Sequence, residues 1–298
     1  MLQQIVPWHT STMPMRQDVE LVLQPGRDHL TKRIIPMTKY VPVTATHHRG
    51  KAWRRSGTYA HAAGIAAVPL VGVEFGRAAI AMPIGFLKHL NRYVPMAMMS
   101  PVAGRNLFIG PAFQWLGSYV PAALRVYPFR LGHTNETEQA ILCVDEDSGL
   151  IGDADGIAEE FFDADGNPPP ATKAAMEFLA RIEANRIATD LAVAALDDAG
   201  LIQPWSLKIM NDGQETPIDD LFKVDEAALN SCDNEIFLKL RKSGALPLAY
   251  MQLLSMGQVN VFEQLIRLQQ QLAPPKQRQI SSLDEIFEMA SNDTLKFN

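Results

Sequence analysis

Histidines, a run of three carboxylates and one glutamate inside an apolar stretch are the obvious carriers of reactivity in this chain. The seven histidines are His9, His29, His47, His48, His61, His89 and His133. His47 and His48 are neighbours, and adjacent side chains point to opposite faces of a strand, so the pair alone forms no chelate. His61 could join one of them in space. No carboxylate lies at a spacing that completes a two-histidine, one-carboxylate triad, so the expectation is no metal. Asp145, Glu146 and Asp147 close the apolar run AILCV. Carboxylates there can hold magnesium or solvate a turn, and the turn is the plainer reading. The two DADG segments at 153–156 and 163–166 open like calcium loops. Counted from Asp163, however, position 6 is Pro168, where an EF-hand needs glycine, so they too read as turns.

Glu74 lies in the most apolar stretch, residues 64–86, with Arg77 three residues on. On a helix the two share a face and can pair, and a buried acid needs such a partner. The sharper alternative is an acid with a raised pKa in a cleft, assisted by Arg77 or by His61. No G-x-G-x-x-G, P-loop, G-x-S-x-G or H-E-x-x-H is present. GLIGDADG (149–156) spaces its glycines as a turn does. The residues therefore name no cofactor and no reaction, and a non-catalytic role is the preferred expectation.

One stretch suits recognition better than reaction. YVPAALRVYPFRLG (119–132) carries Tyr119, Arg125, Tyr127 and Phe129 around two prolines. Proline fixes the backbone and removes a donor. Pro121 can begin a short helix bearing Leu124 and Arg125, and Pro128 can edge a following strand. Tyr127-Pro128 is a candidate cis bond. One reading is a scaffold corner at a helix-to-strand junction. The other is an aromatic-lined groove for an extended or proline-rich peptide, with arginines for carboxylates. Arg105, Asn106, Phe108 and Trp115 complete the candidate ligand-binding set.

These side chains need elements to hold them. The chain has 298 residues, 47% of them hydrophobic, which is enough for a large core without staples. A net charge of -6 argues against nucleic acid as a partner. Two cysteines make no disulfide framework. The N-terminal residues lack a signal-peptide pattern. Residues 64–86 are interrupted by two charges and two prolines and read as core rather than as a membrane span. A cytoplasmic location is expected.

Residues 1–36 read as an N-terminal arm, and 39–55 as a strand leading into a loop. A short buried helix is expected from Pro69. Short apolar runs at 82–87, 94–99, 105–110 and 140–144 have the spacing of an antiparallel meander. Residues 171–199 predict a helix with Met176, Leu179, Ile182, Ile187 and Leu191 as its apolar stripe and Gly200 as its stop. Residues 205–224 predict a hairpin around Asp212-Gly213 with a loop longer than two residues. Helices follow to residue 271. Pro274 and Pro275 mark a linker, and Ser282 with Glu285 caps a short final helix. That helix docks on its own domain, or makes a homo-oligomer. The fold expectation is α+β: a mixed, mostly antiparallel sheet over 37–147 packed with helices from 170–271, within one domain spanning 37–272.

Taken in order, several stretches resemble the bacterial SapC family. They are VPLVGVEF (68–75), MPIGF (82–86), RNLF (105–108), YVPAALRVYPF (119–129), CVDEDS (143–148), FFDADGNP (161–168), GLIQPWSLKI (200–209), DDLFKVDEAAL (219–229) and GALPLAYMQLLSMGQ (244–258). The resemblance covers roughly residues 37–270. It departs at Arg105, where the family usually has an acid, and at Arg125–Val126, where it usually has two arginines. If those charges contact a ligand in relatives, a different ligand follows here. The family name comes from a surface-array gene region, so the resemblance implies a link to surface-layer or envelope proteins, through handling of a peptide or protein client. It supplies no catalytic residues. A peptide-transporter permease of the same name does not fit a chain with no membrane span.

Overall fold

The structure is a computed structural model that describes residues 40–133, 140–154, 158–211, 214–218 and 220–273. The N-terminal arm, the linker and the final helix lie outside the described residues.

The chain enters through β1 (Tyr40–Pro42), makes one helical turn, α1 (Ala45–His48), and continues as β2 (Lys51–Trp53). Thr44 caps α1, its hydroxyl accepting from the His47 N–H at 3.3 Å. The strand expected across 39–55 is thus interrupted, and both histidines sit on a helical turn instead. β3 (Ala67–Pro69) follows, then a 3-10 turn (Gly72–Glu74) and α2 (Phe75–Ala78). The helix expected from Pro69 starts later because Pro69 closes a strand, and the Leu70 N–H continues the pairing to the Pro95 carbonyl at 2.9 Å. β4 (Ile84–His89) and β5 (Arg92–Met98) form a hairpin whose two linking residues, Leu90 and Asn91, have φ of 45° and 61°. Residues 105–110 are not a strand. The Asn106 side chain there accepts from the Phe108 N–H at 3.0 Å and donates to the Ala62 carbonyl at 3.2 Å, which holds the segment as an irregular turn.

Next come α3 (Ala122–Arg125), β6 (Phe129–His133), β7 (Ala140–Asp145), β8 (Ile151–Asp153) and β9 (Glu159–Glu160). The long α4 (Pro170–Asp198) begins on proline, as helices often do. Then follow β10 (Ile202–Pro204), β11 (Lys208–Asn211), β12 (Gln214–Pro217) and β13 (Leu221–Val224). β11 and β12 pair Asn211 with Gln214, so only two residues lie between them, fewer than expected. Four helices close the described chain: α5 (Glu226–Ser231), α6 (Asn234–Ser243), α7 (Ala245–Ser255) and α8 (Val261–Leu272).

The α+β expectation holds, and every strand pairing among the described residues is antiparallel. The single sheet over 37–147 does not hold. The largest sheet has the order β10-β13-β4-β5-β3 and takes two strands from the C-terminal half. Two three-stranded sheets, β1-β7-β6 and β8-β2-β9, stand apart from it. Side chains of α7 fasten the large sheet. On α7, Gln252 accepts from the Val224 N–H at 2.9 Å and donates to the Ile84 carbonyl at 3.0 Å, and Ser255 accepts from the Ile84 N–H at 3.0 Å. These buried side chains take over where the β4–β13 ladder stops, so the backbone groups of Ile84 and Val224 are not left orphaned.

Among the described residues there are two hydrophobic cores. The larger surrounds the five-stranded sheet, α2 and the C-terminal helices. The smaller contains Trp53, Phe129, Leu142, Val144, Phe161 and Leu179. α4 belongs to both. Its first turns join the small core, where Thr172 accepts from the Trp53 indole N–H at 3.2 Å. Its last turns bury Ala192, Val193 and Leu196 in the large one. At ~1.5 Å per residue its 29 residues span about 43 Å, enough to bridge the two.

Candidate functional site

Where α4 passes from one core to the other, the chain leaves a cavity of about 1450 Å³. The large core contributes Val68, Leu70 and Val193 to its walls, and the small core contributes Phe129, Leu131 and Leu179. The middle of α4 contributes Ile182, Ile187 and Leu191. Ile187 is 53% exposed and Leu191 66%, so the expected stripe is not a buried one beyond Leu179. The buried positions of the second half are Thr189, Ala192, Val193 and Leu196, mostly small residues that allow close approach to the sheet. Thr189 also accepts from the Gly72 N–H at 2.7 Å, fixing α4 to the turn beneath it. Leu90, 79% exposed at the tip of the β4–β5 hairpin, reaches the mouth of the same groove. A leucine with left-handed backbone is costly, and such strain gathers at functional edges.

Polar groups enter at defined points. Tyr127 donates to Asp145 at 3.0 Å, and Asp145 also accepts from the Asp147 N–H at 3.2 Å. Burial first, then the Asp145 bond and charge, push the Tyr127 hydroxyl well above the usual tyrosine range, so it remains a donor. The His61 ring stacks on Tyr127 at 3.9 Å with planes 5° apart. Both His61 nitrogens are buried without a hydrogen-bond partner. Burial lowers its pKa to about 4; the nearby Leu124 backbone offsets part of this without forming a well-aligned bond, and the Arg130 charge adds to it. His61 and Tyr127 also border a smaller cavity of about 420 Å³, so the stacked pair is a partition between two spaces. Arg130 spreads its charge over the Tyr40 ring at 4.5 Å. Arg186 is neutralised along α4 by Glu183 and Asp190.

Glu74 stands at the groove edge but is fully engaged. It accepts from the Tyr119 hydroxyl at 2.7 Å, the Ala122 N–H at 2.6 Å and the Val71 N–H at 3.2 Å. Its expected partner Arg77 points to solvent. The acid is held by donors rather than by a cation, because the corner at 119–122 folds onto it. That corner matches its reading: Pro121 precedes α3, Tyr127-Pro128 is cis, and β6 starts at Phe129.

The candidate ligand residues do not form one surface. Tyr127, and Phe129 from beneath, line the groove. Arg125 faces the smaller cavity and lies over the rings of Tyr119 and Phe178 at 5.8 and 5.3 Å. Phe108 is buried and stacked on Trp115 at 5.3 Å, and Asn106 is buried as described. Arg105 donates to Gln269 on α8 at 2.7 Å, away from the groove. Sequence spacing missed Ile187 and Leu191, which looked like core, and Leu90, which lies between two of the apolar runs. It also found no carboxylate for the adjacent histidines. The fold supplies one: Glu146 lies 2.7 Å from His47 and 3.4 Å from His48. Among the described residues no serine or cysteine is hydrogen-bonded to a histidine. Cys143 is buried and its thiol pushed up to about 11 by that burial, far from a reactive thiolate.

The SapC family model matches residues 43–262. The chain belongs to the SapC family. No curated protein and no solved structure matches it. The SapC-like stretches at 68–75, 119–129 and 143–148 converge on the groove, contributing Glu74, Tyr127 and Asp145 to its lining. Of the two departures from the family pattern, Val126 lines the groove and Arg105 does not.

Proposed function

We propose that this SapC-family protein is a non-catalytic binding protein whose groove takes an extended, apolar segment of a peptide or protein client. The observation that carries the reading is the apolar cavity under α4, with Leu90, Ile187 and Leu191 exposed at its mouth. Exposed apolar groups gathered around a concave surface mark binding sites. Its α4 wall runs between residues 179 and 197, about 27 Å at helical rise. An extended strand covers that length with about eight residues. Tyr93 and Tyr127 offer rings, and Arg92 and Arg130 offer partners for an acidic side chain or a terminal carboxylate. We further infer a cytoplasmic location, from two cysteines that make no disulfide framework, and a client among surface-layer or envelope proteins handled before export, from the family name.

The competing reading is an enzyme of unknown reaction. Glu74 is poorly placed for it, since three donors occupy its carboxylate. The observation that favours it is the imidazole of His61, neutral and unpartnered between two cavities.

The test is binding to an array of ten-residue peptides. The wild-type chain is expected to select apolar peptides, and Ile187→Asp/Leu191→Asp to lose that selection with an unchanged circular dichroism spectrum. Selection undiminished in the double variant overturns the reading.

A further inference from the structure

We propose that His47, His48 and Glu146 form a site for a divalent transition-metal ion, with zinc the ion they suit best. Two imidazoles and one carboxylate are donors for zinc, cobalt or ferrous iron, and poor ones for calcium or magnesium, which want oxygen. One ligand atom from each residue lies within 4.8 Å of the others. Nε2 of His47 is 2.7 Å and Nε2 of His48 3.4 Å from the same Glu146 oxygen. A tetrahedral zinc with bonds of about 2.0–2.1 Å holds its donors roughly 3.3 Å apart, so the His48–Glu146 spacing already fits and the exposed His47 ring must rotate to share the ion.

A second observation points the same way. His48 is fully buried, and its Nε2, aimed at the carboxylate, has no well-formed hydrogen bond. Buried polar atoms are rarely left so, and an ion at this point would satisfy it. The His47 side chain is 56% exposed, leaving an open side for water to complete the coordination.

Two features limit the affinity. Lys51 Nζ lies 3.5 Å from both Glu146 and His47, a cation beside the place the metal takes, and it must swing aside. Nδ1 of His48 accepts from the Thr44 N–H at 3.3 Å. Ligation through Nε2 needs the proton on Nδ1, so that long bond opens. The site thus lacks the acceptor behind its histidine that strengthens most zinc ligands. Micromolar rather than nanomolar binding follows.

The experiment titrates Zn²⁺ into the tag-free, chelator-treated full chain by calorimetry, and Co²⁺ by visible absorption. Expected are one saturable site and cobalt d–d bands. His47→Ala and Glu146→Gln, both on partly exposed side chains, should weaken binding at least tenfold, and Lys51→Gln should strengthen it several-fold. Absence of saturable binding below millimolar zinc overturns the proposal. So does an affinity that both weakening variants leave unchanged.

Discussion

Two side chains set the character of the groove, and both are held by their neighbours. His61 is neutral because burial disfavours the charged ring and no well-aligned acceptor meets its nitrogens. Its folded pKa, about 4, lies below its ordinary 6.5. Between those values the unfolded chain binds the proton and the folded chain does not. The stability that follows is fully present above pH 6.5 and is lost as pH falls toward 4. After allowance for partial exposure the loss is on the order of 1–3 kcal/mol. Urea unfolding from pH 7 to pH 4 should be less pH-dependent by that amount in His61→Phe, which keeps the stack on Tyr127. An identical pH profile would mean that His61 titrates normally. Glu74 is the other anchor. In Glu74→Gln an amide group faces donors where a carboxylate accepted three bonds, at a cost of about 1–3 kcal/mol. Urea midpoints measure it, and Arg77→Ala should shift them by less than about 0.5 kcal/mol because Arg77 is exposed.

At the scale of elements, α4 shows what periodicity can and cannot convey. Its extent was legible: the run from 171 to 199 and Gly200 match the helix to within a residue. Its faces were not, because spacing alone cannot distinguish a side chain against a sheet from one over a gap. Ile187 and Leu191 repeat at four residues as core positions do, yet Thr189, Ala192 and Val193 occupy the core. The corner at 119–129 was legible because proline dictates local geometry. The β13–β4 pairing was not, since it joins residues more than 130 apart and depends on α7. Gln252 is the link there. Gln252→Leu strands the Val224 N–H and leaves the Ile84 carbonyl only the long 3.4 Å bond from the Ser255 hydroxyl, and should cost about 2–4 kcal/mol. Native-state amide exchange should show the loss concentrated at β4 and β13. A cost below about 1 kcal/mol would mean that the strands do not need this bridge.

At the scale of the molecule, the groove exists because two cores share one helix. Neither core is complete without α4, and the helix is too long to be covered by either. α+β was readable from short strands followed by long helices, and SapC membership from the order of short stretches. The groove was not readable, since its walls come from stretches spread over more than 150 residues. For the same reason Glu146 could not be assigned to His47 and His48, which lie almost a hundred residues before it. The most direct test of the binding reading is amide hydrogen exchange on the full chain, alone and with the tightest peptide from the array. The reading predicts protection of the β4–β5 turn around Leu90, the middle of α4 and the start of β6. Protection confined to residues 105–110 and α8, or no peptide bound at all, would contradict it.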